Sequence, residues 1–309
     1  MMNKKMLMGL VIIVLVVVGV ILIKNRNKST VGTETGVTGV QSYVGFAGDY
    51  SFLIQDGYQI DDSSIPGSQI IFKKTDKLEV KSVDEIYSKG AMAIQSFTPI
   101  LNDDSAFKNY INDTLKDAVA TSLKGTSEVT FGKAGSDTTA IIKTTVAGEL
   151  IRVQYIINSN KPVILASGND DAAFQSVSSS IDTASKNSEF MTIQNTVLTV
   201  SSLVKNRMDD DIYRLSTDTF RATTSLDELK KLFDQATFAL KSNTSIAGGV
   251  MTGDEFTASL IYTKLAEKAS EKAKSAVGTI GLKKEGDQWK LTGLTLPSND
   301  SLTPTAAEE

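Results

Sequence analysis

The feature that most constrains this chain lies in its first 28 residues. Leu7–Ile23 reads LMGLVIIVLVVVGVILI without a charge; Lys4 and Lys5 precede it, and Lys24, Arg26 and Lys28 follow. As a helix this run rises about 26 Å, enough to cross most of a hydrocarbon core of roughly 30 Å, with lysine side chains snorkelling to cover the rest. A cleavable signal peptide needs a shorter apolar core and a small-x-small cleavage site. Here the run ends directly on Lys-Asn-Arg-Asn-Lys, with no Ala-x-Ala element and no cysteine for lipid attachment. Residues 1–24 are therefore expected to be an uncleaved, single-pass signal anchor that grips membrane lipid. The flanking charges nearly balance, so the positive-inside rule does not orient the span. An anchor that comes first, with a long flexible stretch behind it, favours an extracytoplasmic C-terminal region at the cell membrane.

The rest of the chain is long enough for two domains. The whole chain carries 32 basic and 36 acidic residues, and five of the basic ones lie in the first 28, which leaves 27 against 36, a net of −9 downstream. An acidic body argues against nucleic acid as partner and against a second, electrostatic grip on anionic lipid. Histidine and cysteine are both absent. That removes Ser-His-Asp and Cys-His catalysis, imidazole and thiolate metal sites, haem ligation by either residue, and disulfides. No cofactor and no metal is implied. Chemistry on Asp, Glu, Lys, Ser or Tyr alone stays open.

Residues 25–42, NRNKSTVGTETGVTGVQS, are rich in Gly, Ser and Thr and lack an apolar period, so they read as a flexible linker. A first domain is expected over residues 43–186. Short strands at Tyr50–Ile54 and Tyr58–Ile60 flank Asp56–Gly57, and Gln69–Lys73 follows the Pro66–Gly67 turn. Helices are predicted over Val83–Gln95 and Ala106–Leu123, the second with Asp104 or Ser105 as cap. Strands at Glu128–Lys133, Thr138–Ala147, Leu150–Ile157 and Lys161–Ala166 follow, with Gly148–Glu149 as a tight hairpin turn. A helix over Asp170–Ala184 closes the domain.

A second domain is expected over residues 188–297, with helices first and strands afterwards. Ile193–Lys205 is amphipathic, Asp209–Asp211 can cap a helix from Ile212 towards Phe220, and Ser225 and Glu228 have capping-box spacing ahead of a long apolar stripe. Strands follow at Thr244–Met251, Glu255–Leu265, Val277–Glu285 and Gln288–Leu296, the last two joined through Gly286–Asp287. The polar tail, residues 298–309, is expected to be disordered. The fold class is α+β: a transmembrane helix followed by two α+β domains with antiparallel sheets.

Two resemblances bear on these domains. LVKNRMDDDIYRLSTDTF, from Leu203 to Phe220, resembles the opening helices of the NTF2-like and cystatin-like small domains found behind bacterial membrane anchors, with Tyr213 and Phe220 at the anchoring positions. KKEGDQWKLTGLTL, Lys283 to Leu296, resembles their last hairpin, with Trp289 at its packing position. The resemblance implies a cone with a pocket and carries over no catalytic residue. More faintly, DYSFLIQDGYQI and DDAAFQSVSSSI in the first domain resemble the opening and closing of PsbP-like and Mog1-like α/β/α sandwiches, again without a functional motif.

No cluster of reactive residues emerges. Trp289, Tyr213 and Phe220 are the ligand-pocket candidates, with core packing the plainer role for Trp289. Consecutive Asp209, Asp210 and Asp211 lack the alternating spacing of an oxygen-ligand loop, so helix-terminus roles suit them better. Asp254 and Glu255 would matter if they converged with a lysine in a cleft. Gly248–Gly249 fits a bulge and has no phosphate-cradling context. The reading that results is a non-catalytic binding or scaffolding protein of the cell envelope, exposing two domains to another envelope protein. The alternative is a small-ligand binder using the second domain's pocket, and an enzyme comes third.

Overall fold

A computed structural model describes residues 41–46, 50–62, 68–76, 90–97, 103–158, 163–183, 188–246, 248–264, 274–298 and 303–304. The expected membrane anchor, nearly all of the expected linker and the charged stretch at 265–273 lie outside the described residues. Among the described residues no helix is long and apolar enough to cross a membrane. The described residues of Phe52–Thr183 make one compact unit, and those of Asn25–Ser51 and Ala184–Glu309 make a second. Both are α+β units built on antiparallel sheets.

In the first unit, β3 (Tyr58–Asp61), β4 (Ser68–Lys73), β5 (Met92–Phe97), β6 (Thr126–Ala134), β7 (Asp137–Val146), β8 (Glu149–Asn158) and β9 (Val163–Gly168) form one sheet in the order β3-β4-β5-β9-β8-β7-β6. Helices α1 (Asp104–Tyr110) and α2 (Lys116–Leu123) are joined by a π-helical turn at Ile111–Leu115. They bury Phe107, Ile111, Leu115 and Val119 against Ala140, Ile142 and Ile156 of the sheet. Helix α3 (Ala172–Ser179) covers the opposite face: the Phe174 ring packs where a side chain at Gly168 would have to stand. The caps are Asp103, whose Oδ1 accepts from Ala106 N at 2.7 Å, and Asp171, whose Oδ1 accepts from Phe174 N at 2.8 Å. The capping role thus falls one residue before the expected Asp104, because only the residue with extended backbone (φ −150°) can turn its side chain onto the first free N–H groups.

Three further expectations are corrected here. Residues 92–95, predicted to end a helix, lie in β5 and pair with both β4 and β9. Their local pattern suits either element, and two available neighbours decide for the strand. The β7–β8 turn uses Ala147 (φ 53°) and Gly148 (φ 86°), not Gly148–Glu149. A two-residue turn of this hand needs positive φ at both central positions, and alanine tolerates it at a cost. The expected closing helix ends at Ser179, after which β10 (Asp182–Thr183) is extended.

The second unit has α4 (Ser188–Lys205), α5 (Asp209–Arg214), α6 (Asp218–Thr223), α7 (Leu226–Gln235) and α8 (Thr237–Lys241) ahead of its sheet. The sheet runs β1 (Gln41–Gly45), β12 (Gly248–Thr252), β13 (Glu255–Lys264), β14 (Lys274–Glu285), β15 (Gln288–Thr295). β11 (Asn243–Ser245) adds to β13, and Thr303–Pro304 of the expected disordered tail pairs with Lys274–Ser275. Its core lies on one sheet face. Ile193, Val197, Val200 and Val204 project from α4 onto Phe256, Ala258, Leu260 and Tyr262 of β13, with Leu229 and Phe233 of α7 beside them. The helical 4-3-4 spacing meets the period-2 alternation of the strand, which is what lets the two faces close without polar atoms between them.

The largest departure from the sequence reading is β1. Residues 41–42 were expected in the linker and 43–45 in the first domain, yet Gln41–Gly45 pairs residue for residue with Thr252–Gly248 in the second unit. Gly248 is explained by this pairing and Gly249 by the packing of β12 on β13. A Cβ at Gly248 would strike Val44 O and the Tyr43 hydroxyl, and one at Gly249 would strike the Phe256 ring.

Candidate functional site

The three acidic residues at the start of α5 stand in its first turn and not at its cap, which is Met208. There they complement the free N–H groups of the helix. Thr217 opens α6 separately, its Oγ1 accepting from Phe220 N at 3.2 Å. Between these helices Ser216 makes a bridge to β15 that the sequence reading missed. Leu291 N donates to Leu215 O at 3.0 Å and Thr217 N donates to Leu291 O at 2.9 Å, so Leu215–Thr217 lies as a short parallel partner on β15. Arg221 locks the stretch by donating to Ser216 O and, at 3.3 Å, to Tyr213 O, while the Tyr213 hydroxyl donates to Arg221 O at 3.3 Å. No local pattern marks Ser216 as a strand partner; the signal is only the open hydrogen-bonding edge of β15.

This arrangement sets the surface of the second unit. A groove of about 360 Å³ runs between α4 and the β14–β15 hairpin, lined on the helix by Thr192, Asn195, Thr196 and Thr199 and on the other side by Leu215 and Trp289. Arg214 and Lys290 bring two cations to it and Asp287 an anion. Lys290 is engaged by Glu285 at 2.7 Å, and Arg214 lies 3.6 Å from Asp211. Thr196 and Thr199 turn their hydroxyls onto Thr192 O and Asn195 O one helical turn back, at 2.9 and 2.8 Å, which leaves their methyl groups for the groove wall.

Of the three sequence candidates, only Trp289 reaches the groove, and at 4 % exposure most of its indole belongs to the core. Phe220 is a core residue and Tyr213 packs against the same core while its hydroxyl serves the α5–α6 turn. The three therefore share a hydrophobic cluster and do not line one pocket. Asp254 and Glu255 form no cleft: Glu255 lies 3.6 Å from Lys283 on the neighbouring strand, both half-exposed, and Asp254 contributes its carbonyl to Lys284 N.

Around the groove, α4 carries an unusual outer surface. From Phe190 to Val204 it has no charged residue, and its outward positions include Met191 at 48 % and Leu198 at 52 % exposure. Leu215, across the groove from Thr192, Asn195, Thr196 and Thr199, is a further exposed apolar side chain. Glu189 at the start of the helix pairs with Lys284 at 2.6 Å, and this carboxylate holds the lysine above its ordinary range. In the first unit the Asp104 carboxylate accepts from Lys133 at 2.6 Å and from Thr138. These bonds, Lys133 first, hold Asp104 below the usual carboxylate range. Burial pushes the Tyr110 hydroxyl up to about 12. Among the described residues no group of three His, Cys, Asp or Glu could hold a metal ion.

No protein-family model matches the chain, and no curated protein matches it. Solved structures similar to it include the solution structure of cyanobacterial PsbP (CyanoP) from Synechocystis sp. PCC 6803, 13 % identical over 51 % of this chain and 97 % of that one, with a TM-score of 0.34. A crystal structure from Bacteroides thetaiotaomicron VPI-5482 is 10 % identical over 73 % of this chain and 87 % of its own, with a TM-score of 0.30. Both scores lie below 0.5, and neither likeness assigns a family or an activity.

Proposed function

We propose that this chain is a membrane-anchored, non-catalytic binding or scaffolding protein of the cell envelope, with its two α+β units outside the membrane and the second unit docking another protein. The observation that carries the reading is the uncharged outer face of α4, on which Met191 and Leu198 are exposed. A solvated helix face ordinarily carries charge. Charge depletion with exposed methionine and leucine is the composition of a protein-binding patch. The anchor rests on the uncharged Leu7–Ile23 run and its flanking lysines.

At the level of fold family, we read the first unit as a PsbP-like or Mog1-like sandwich, because helices cover both faces of its sheet. The second reads as an NTF2-like domain, because its helices precede the sheet and pack on one face of it. A second reading, small-ligand binding, is favoured by the groove's volume, which falls within the range of roughly 300–1,000 Å³ typical of ligand sites.

The test is protease digestion of intact cells with a lysed control, followed by site-specific crosslinking from α4. Digestion without lysis together with a protein adduct from Leu198 or Asn195 supports the proposal. Protection until lysis overturns the envelope assignment. A small molecule that protects the groove while α4 yields no protein adduct transfers the assignment to the ligand reading.

A further inference from the structure

The tip of the β7–β8 hairpin in the first unit departs from ordinary hairpin chemistry in two ways. Its turn is Ala147–Gly148, with φ of 53° and 86°, a geometry for which Asn-Gly or Asp-Gly is the favoured pair. Alanine is strained at positive φ, where asparagine and aspartate are far commoner. Behind the turn, the bulge between Thr144 and Thr145 leaves Ile151 without a residue opposite it. Leu150 and Ile151, successive in the chain, are 41 % and 36 % exposed. The tip is aliphatic at a cost in both strain and solubility.

The tip also stands clear of the sheet. β6 starts opposite Thr145 and β9 ends opposite Val153, so the turn projects beyond β6 and Glu149–Arg152 beyond β9. The hairpin's own ladder pairs Thr145 with Leu150 and Val146 with Glu149, which carries backbone pairing up to the turn. Lys124 is exposed at the base, beside Gly125, where a Cβ would strike Thr145 O. Arg152 follows Ile151, and Glu149 is the one acid of the tip.

Val146, Ala147, Leu150 and Ile151 suit lipid better than protein. Protein hot spots are Trp, Tyr and Arg, with Leu and Val under-represented, and a stable interface covers about 800 Å² per partner. A narrow convex turn offers neither. A bilayer conforms to a convex tip, takes up aliphatic side chains, and lets Lys124 and Arg152 reach its headgroups. It is also close at hand: a flexible stretch with the length and Gly/Ser/Thr-rich composition of residues 25–40 spans about 22 Å. We propose that the β7–β8 tip dips Leu150 and Ile151 into the interface of the membrane that anchors the chain. This rests on the anchor reading of residues 1–24, and the grip is apolar, so the acidic net charge of the body does not decide it. So small an apolar tip binds a bilayer weakly by itself; the tether supplies the effective concentration.

The chain has no cysteine of its own, so a single introduced thiol can carry an apolar fluorophore in the full-length protein. Leu150→Cys places it on the tip, and Ser136→Cys on the exposed β6–β7 turn at the other end of the same strands. In phosphatidylcholine vesicles, a lipid-borne spin label should quench the first probe and spare the second, and aqueous iodide should do the reverse. Adding Ile151→Glu should lower the ratio of inserted to exposed tip at least about tenfold. Ala147→Asn should raise the thermal midpoint and weaken lipid quenching, because it relieves the turn and makes it polar. These side chains are exposed, so the fold survives the changes, and circular dichroism verifies it. A chain that floats with the vesicles while iodide reaches both probes equally overturns tip insertion and leaves the anchor standing. Shielding of Leu150→Cys in native membranes but not in pure lipid overturns lipid as the partner and points to a protein. A chain that fails to float with the vesicles overturns both the anchor and the insertion.

Discussion

Lys284 Nζ lies 2.6 Å from Glu189 Oε1, an ion pair across 95 residues that ties the end of β14 to the first turn of α4. It fixes the N-terminal end of the one helix whose inner face is core and whose outer face is the proposed interface. The groove wall and the hairpin that faces it are therefore held by the same bond.

Removing that bond has a defined pH signature. The Lys284 pKa is raised, first by its hydrogen bond to Glu189, so its contribution to stability is full below the ordinary lysine value of 10.5 and is lost as pH rises through the higher folded value. Lys284→Ala should lower the urea midpoint at pH 7, and the gap to the unmodified protein should close at strongly alkaline pH. Equilibrium unfolding across that range checks it; a constant gap would mean the contribution is packing by the lysine stem.

Asp104 predicts the opposite sign in the first unit. Its carboxyl is held below the ordinary value of 3.8 by Lys133 and Thr138, so its contribution is present above that value and lost as pH falls through the lower folded one. Asp104→Asn should destabilise the protein at neutral pH, and the difference should shrink as the pH is taken down through the acid range. Circular dichroism of thermal unfolding at stepped pH measures it.

Gly249 is a steric requirement of β12. A side chain there meets the Phe256 ring and the Thr257 carbonyl oxygen, so Gly249→Val should cost about 1–3 kcal/mol. The damage should fall on the second unit. Hydrogen exchange should quicken at Gln41–Gly45 and Gly248–Thr252 and remain slow in β7 and β8.

Trp289 is the chain's single tryptophan, and it reports on the second unit alone. Its native emission should be that of a buried indole and shift to longer wavelength when that unit unfolds. Trp289→Ala should cost about 3–5 kcal/mol, the range for emptying a core aromatic site, and should lower the midpoint read by circular dichroism. A small effect would mean that the indole faces the groove more than the core.

Much of the local structure was legible because it depends on near neighbours. The Ser225–Glu228 capping box forms as its spacing implies, with Ser225 Oγ accepting from Glu228 N at 3.3 Å and the Glu228 carboxylate accepting from Ser225 N at 2.8 Å. The β14–β15 hairpin turns at Gly286, whose φ of 63° suits a tight turn of this kind. The π-helical turn at Ile111–Leu115 left no mark in the pattern, since its apolar stripe serves an ordinary helix equally well.

The candidate site was legible only in its parts. Tyr213, Phe220 and Trp289 were recognisable as large side chains at packing positions, but whether they line a hollow or fill a core depends on the separation of α4 and β15. Beside them, Leu215–Thr217 sits on the edge of β15 through backbone bonds that any residues other than proline could make.

By itself the sequence determined the α+β class, the antiparallel hairpins, the amphipathic helices and the absence of histidine and cysteine chemistry. Each of these follows from residue type, period or turn geometry within a few positions. Only the tertiary structure decided that Gln41–Gly45 pairs with Gly248–Thr252, that Met92–Phe97 is a strand, and that Met191 and Leu198 face outwards while Ile193 and Val197 face in. Strand pairing depends on which hydrogen-bonding edge is free far along the chain. The sheet covers the face of α4 whose β-branched side chains fit its alternation, and Met191 and Leu198 on the opposite face are left exposed.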